Sequence, residues 1–281
     1  MNQFLPSRYV EVIQRLALGI EPIDAQSARR LSYGLQVVYD VPPFGLPRPP
    51  IERHASNLYA LRYQPGVTTP LDLRFFDSPD RFYKRESARR RIVPRRLSIP
   101  ILTLSDVETQ EQAGKKDFKR RIRRPVFFPG AAYDFIATAT GLRGRVLLKG
   151  GQPVRWARVV ATLENTAIIA GRAHGDDRGE FLLLINPKLK PVSGLPNPLL
   201  PNPLKIKVSV FVPATAPTPI SANLPALDPL WDLPLEEILA SPGTDDPVET
   251  GDEIPKGYSA NVEPVIEFTL GKYIYEEFEI I

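Results

Sequence analysis

Proline is the feature that most limits what this chain can fold into: 31 of its 281 residues are proline, about 11%, roughly twice the usual share. Each proline locks its φ angle and lacks an amide hydrogen, so it breaks helix interiors and is confined to the edges of sheets. A chain this rich in proline must consist of short elements, many turns and long connections. The prolines are unevenly spread, with 16 of the 31 in residues 187–264 and Pro-Asn-Pro at both 196–198 and 201–203. Such a stretch favours extended polyproline geometry, and it is expected to drape over the core of the chain's own second half or over a neighbour.

What remains has the two-residue period of strands. Leu16, Leu18 and Ile20 alternate, as do Leu142, Gly144, Val146 and Leu148, and Ile206, Val208 and Val210 alternate with Lys205, Lys207 and Ser209. Helical periodicity with a cap signal occurs only at residues 106–112 and 233–239, the second preceded by Asp232 and carrying Pro234 in its first turn. The expected fold class is all-β: two tandem antiparallel β-sandwich domains with long Pro-rich and charged extensions. Two sandwiches are expected because the chain repeats itself weakly. Residues 15–40, 56–66 and 71–77 are matched in order by 141–164, 167–187 and 204–213, each set reading strand, polar turn, strand, hairpin and amphipathic strand. The domains are placed at 1–104 and 125–281. Residues 105–124, which contain TQEQAGKKDFKRRIRR and no alternation, are read as a basic linker or arm.

A formal net charge of +4 hides a division: the last 57 residues carry 14 acidic and 2 basic side chains, a net of −12, against +16 in the first 224. Residues 84–96 and 115–124 hold 7 Lys or Arg each. This asymmetry points to charge-complementary contact between segments or subunits, or to a polyanion. Lys115, Lys116, Lys119, Arg120, Arg121, Arg123 and Arg124 are the candidate docking arm. In the tail, Val262, Ile266, Phe268, Leu270, Ile274, Phe278 and Ile280 share even positions, with Glu263, Glu267, Glu277 and Glu279 at odd ones. That pattern predicts one strand, or two broken at Gly271. Residues 262–270 are expected to complete the second sandwich and 272–281 to meet a partner, with Tyr273, Tyr275 and Phe278 as the contacts.

Several chemistries are excluded. With no cysteine the chain has no disulfide, thiolate metal site or cysteine nucleophile, and its two histidines, His54 and His174, lie far apart. His174, Asp176 and Asp177 are donor types a divalent cation accepts, but Asp in a hairpin turn bonds backbone N–H groups instead, so a turn is expected and no metal. There is no G-x-S-x-G, phosphate loop or H-E-x-x-H, so no catalytic residue, cofactor or enzyme activity is expected. Nucleic acid is not an expected partner: despite the arginine runs there is no recognition helix, and the aromatics beside them are not spaced as a stacking platform. Trp156 is expected to cap an interface between the domains. No apolar run approaches the roughly 18 residues of a membrane span, and no secretory signal opens the chain, so the expected location is cytoplasmic.

Residues 141–185 carry a motif set: Gly144 and Val146 in a strand, a turn from Gly151 to Pro153 and Val154, Ala157 and Val159 in the next strand, and Asp176-x-x-Gly179-x-Phe181 in a hairpin. This resembles the carboxypeptidase regulatory-like module, a transthyretin-like β-sandwich. Over the whole chain the order of segments, with RRRIVPRRLSIPIL at 89–102, is similar to two-module proteins encoded beside tail components of phage-like contractile injection systems. That resemblance implies a cap or cap-adaptor, a symmetric ring of copies contacting sheath, tube or other cap subunits. The alternative is an adhesion or ligand-binding sandwich recognising a polysaccharide or peptide.

Overall fold

A computed structural model describes residues 15–40, 48–77, 89–114, 121–136, 138–189, 203–239 and 245–280. In the first half these form β1 (Leu16–Ile20), β2 (Ile23–Asp24), β3 (Gln36–Tyr39), β4 (Glu52–Arg53), β5 (Tyr59–Arg62), β6 (Leu71–Phe76), β7 (Arg95–Ile99), α1 (Leu104–Gln112), β8 (Ile122–Arg123) and β9 (Val126–Phe127). The second half begins with β10 (Gly141–Leu148), β11 (Arg158–Leu163), β12 (Ile169–His174), β13 (Glu180–Leu184) and β14 (Leu204–Pro213). It continues with α2 (Leu224–Leu227), β15 (Leu235–Glu237), α3 (Pro247–Thr250), β16 (Tyr258–Val262), β17 (Val265–Phe268) and β18 (Tyr273–Ile280). The protein is all-β, as its alternation and proline content require.

Two pairs of sheets each enclose a core. In the first, the sheet β4-β5-β1-β8 and the sheet β15-β7-β6-β3 bury Leu18, Ile20, Leu61, Leu73, Phe75, Leu97 and Ile99 against one another. In the second, β13-β10-β18 faces β12-β11-β14-β16, with β17 also on β14, around Leu142, Val146, Val159, Phe181, Ile206, Val208, Phe268 and Phe278. The residues that alternate in the sequence are those whose inward members fill these cores.

The internal repeat has a structural counterpart. β1 pairs antiparallel with β5 and parallel with β8; β10 pairs antiparallel with β13 and parallel with β18. Likewise β6 lies antiparallel between β3 and β7, as β14 lies between β11 and β16. The segments matched in the sequence, 15–40 with 141–164, 56–66 with 167–187 and 71–77 with 204–213, are the ones that supply equivalent strands. The halves differ at their fourth strand: β4 joins β5, whereas β12 joins β11.

Three expectations are corrected. Residues 105–124 are not a protruding linker throughout, because α1 occupies 104–112, opened by a capping box between Thr103 and Asp106, and β8 joins the first sheet. Residues 233–239 are not helical: Leu235–Glu237 runs as β15, parallel to β7. The Pro-rich segment therefore does not drape over the second core alone. Ile238 and Val248 enter the first core, and Leu230 and Leu233 pack with Trp156, Phe76 and Val93 in a third cluster between the halves. Trp156 packs into this cluster from a turn with φ of 61°.

The tail also departs from expectation in part. The break falls at Gly271, whose φ of 73° turns the chain between β17 and β18. Residues 272–280, however, are themselves part of the second sheet pair. β18 pairs along its whole length with β10, and Phe278 and Ile280 lie in the second core, Phe278 with its ring 5.7 Å from that of Phe181. Phe278 is thus a core residue, because its even parity turns it inward.

Candidate functional site

The most elaborate polar arrangement in the described residues is a buried joint between the two sheet pairs. Arg95, on β7, shares the inward parity of Leu97 and Ile99 and has no exposed surface. It donates from Nη2 to Glu236 Oε2 at 2.8 Å and from Nε to Oε1 at 3.2 Å. Further bonds run to the carbonyls of Val126 at 2.8 Å and of Val248 and Glu249. Arg158, on β11 of the other half, reaches the same carboxylate, Nη2 to Oε1 at 3.1 Å, and donates to the Trp156 carbonyl. Burial pushes the Glu236 carboxyl upward, but the two guanidiniums outweigh it and hold the group below its ordinary value. One carboxylate thus neutralises part of two buried charges contributed by different halves. β15, paired with β7 in the sheet β15-β7-β6-β3, delivers this carboxylate.

Around it, Arg123 pairs with Glu249 at 3.2 Å, and Arg155 and the Trp156 indole both donate to Asp232, the latter at 2.8 Å. His174, the cross-strand neighbour of Arg158, stacks on Phe128 with ring centroids 4.0 Å apart. Burial, with Arg158 and Arg95 nearby, lowers its pKa well below the usual histidine value, so it is neutral here. Gly251 closes the layer: its φ is 74°, and a Cβ there would lie 2.4 Å from the Phe128 ring.

The hairpin expected at 176–181 is formed as the motif implies. Asp176 Oδ1 accepts from the N–H of Arg178 at 2.8 Å and of Glu180 at 3.0 Å. Gly179 has φ of 72°, and a Cβ on Gly144 would sit 2.2 Å from the Phe181 ring. The motif glycines are thus demanded by the turn and by close aromatic packing. His54 bonds through Nδ1 to Ser56 at 2.7 Å on the surface.

The candidate arm is divided by the structure. Lys115, Lys116, Lys119 and Arg120 lie outside the described residues. Arg121 and Arg123 are buried, at 4% and 1% exposure, and paired to Glu111 and Glu249, so they hold the first sheet and cannot be docking side chains. Arg124 remains exposed, with Nε 3.1 Å from Glu21. Of the tail candidates Tyr273 is half-buried against Phe135, ring centroids 4.5 Å apart, and Tyr275 is 59% exposed with its hydroxyl donating to Glu277. The structure does not bring the two groups together.

Sequence reasoning missed Arg95, Arg158 and Glu236. A signal existed for Arg95, whose place in the alternation of Leu97 and Ile99 put a guanidinium in a core and demanded a buried carboxylate. None identified that carboxylate, 141 residues away.

A groove of about 490 Å³ lies between the turn at Gln26 and Ser27, the connector at Tyr133 to Ile136, the end of β13 and Leu270. Ile136, 74% exposed, and Leu270 flank it. Among the described residues no group of three His, Asp or Glu is placed to hold a metal ion, and no helix is long and apolar enough to cross a membrane. Compared with protein families, with curated proteins and with solved structures, the chain matches none. The fold and the joint define an all-β protein whose two repeated sheet pairs are locked by buried ion pairs.

Proposed function

We propose that the chain is a non-enzymatic structural subunit that works by assembly, in the setting its sequence resemblance implies: a cap or cap-adaptor at the end of a phage-tail-like contractile injection particle, in a ring of copies contacting sheath, tube or other cap subunits. The observation that carries the structural reading is the Arg95–Glu236–Arg158 joint. A buried carboxylate shared by guanidiniums from both halves fixes their relative placement, which a rigid ring subunit needs and a flexible pair of modules lacks. The test is co-sedimentation of the tagged full-length chain with assembled particles from its own cells, with light scattering of the purified chain to read the ring. Sheath and tube proteins travelling with the tag are expected. A chain that sediments alone, as a monomer, would refute the reading.

The groove beside Ile136 and Leu270 favours a second reading, a sandwich that binds a polysaccharide or peptide. Trp231 is half-buried and offers only part of a stacking face. A glycan array probed with the intact chain distinguishes the two.

A further inference from the structure

Strand β18 is the border of its sheet, and its two sides differ. Gly141 N–H donates to the Lys272 carbonyl and Lys149 N–H to that of Ile280, so the even residues of this segment point their backbone groups at β10. In a pleated strand the N–H and C=O of one residue point the same way and alternate along the chain. Tyr273, Tyr275, Glu277 and Glu279 therefore aim theirs outward, and among the described residues no strand or turn pairs with them. The opposite border is not comparable. There, β12 runs beside β13, with Asn186 N–H donating to the Ala170 carbonyl at 2.8 Å.

Charge selects what fits this edge. Glu276, Glu277 and Glu279 are exposed and, among the described residues, none is in an ion pair, while Glu263 and Glu267 in the preceding segments are paired with Lys207 and Lys205. Three exposed carboxylates outside any ion pair within four residues, with Arg145 the cross-strand neighbour of Glu277, oppose the pairing of β18 with a second β18, where like charges would face one another. They suit a strand bearing cations.

We propose that the outward edge of β18 takes up an extended strand of a partner protein that carries lysine or arginine at alternate positions, adding it to the sheet β13-β10-β18. Backbone bonds to Tyr273, Tyr275, Glu277 and Glu279 supply the attachment and the carboxylates choose the partner. The idea rests on the assembly reading for its setting, but binding is measured on the purified chain alone.

Calorimetric titration of the full chain with a blocked peptide of alternating lysine and valine, as long as β18, should give saturable binding, weakened by salt and absent for the glutamate–valine counterpart. Glu277→Pro removes one outward N–H and leaves the bonds to β10 in place. It should keep the unfolding transition and weaken binding about tenfold or more, as loss of a backbone hydrogen bond and the added ring require. Should that variant lose its fold, the triple variant Glu276→Lys, Glu277→Lys, Glu279→Lys decides, since it should reverse the preference between the peptides. No saturable binding, equal binding of both peptides, or undiminished binding by the folded proline variant would overturn the proposal. So would a dimer of the chain that Glu277→Pro abolishes, because the edge would then belong to a second copy. Peptide binding without co-sedimentation would sink the assembly reading and leave the edge standing.

Discussion

Replacing Glu236 by glutamine keeps the side chain's size and removes only its charge, and the joint makes the consequence large. The Arg95, Arg158 and Glu236 side chains are 0%, 2% and 3% exposed, so solvent does not screen the loss. Glutamine also turns an NH2 donor toward guanidinium donors at one of the two oxygens that now accept from them. Removing one partner of a buried pair costs about 3–5 kcal/mol, which at about 2–4 °C per kcal/mol for a chain of this size lowers Tm by roughly 6–20 °C. Arg95 keeps its bonds to the carbonyls of Val126, Val248 and Glu249, which places the expected value toward the lower end. Glu237→Gln is the internal control: the adjacent residue pairs with Lys256 on the surface, and its loss should not shift the transition. Urea unfolding at low and high salt measures both. A Glu236→Gln stability within about 1 kcal/mol of wild type, or a cost that vanishes with salt, would refute the account, because a buried pair lies beyond ionic screening.

Arg123→Gln should destabilise the isolated chain by about 3 kcal/mol by stranding buried Glu249, whereas a docking side chain would lower assembly and spare the unfolding curve. Gly144→Ala puts a methyl into the Phe181 ring and should cost about 1–3 kcal/mol, partly recovered by Phe181→Leu, as thermal unfolding of the three variants can show. Two buried groups shape the acid limb in opposite senses. His174 stays neutral when folded while the unfolded chain takes up a proton near pH 6.5, so stability is lost as pH falls below about 6.5. Asp77, pushed up to about 6 by burial, binds its proton first in the folded state; its contribution is full below the unfolded value of 3.8 and is lost as pH rises through about 6. As pH falls from 7 to 4, stability should therefore drop less steeply in His174→Gln and more steeply in Asp77→Asn than in the wild type.

Most of the strands and their repetition follow from local pattern in the sequence. Alternation is local: a residue at even or odd parity in β10, β14 or β18 meets the core or the solvent whatever lies across the sheet, so strand positions, the break at Gly271, the Asp176 hairpin and the equivalence of 15–40 with 141–164 were legible. Proline density excluded long helices for an equally local reason. Tertiary structure decided the rest. The sequence around 233–239 carries a helix signal, yet Glu236 lies in a strand because two buried guanidiniums, on β7 and β11, need its charge more than the segment needs a helical turn. Arg121 and Arg123 sit in a run that looks like a solvated arm, and only the positions of Glu111 and Glu249 make them core residues. Desolvated charges are set by partners remote in the chain, and that distance is why no local pattern announces them.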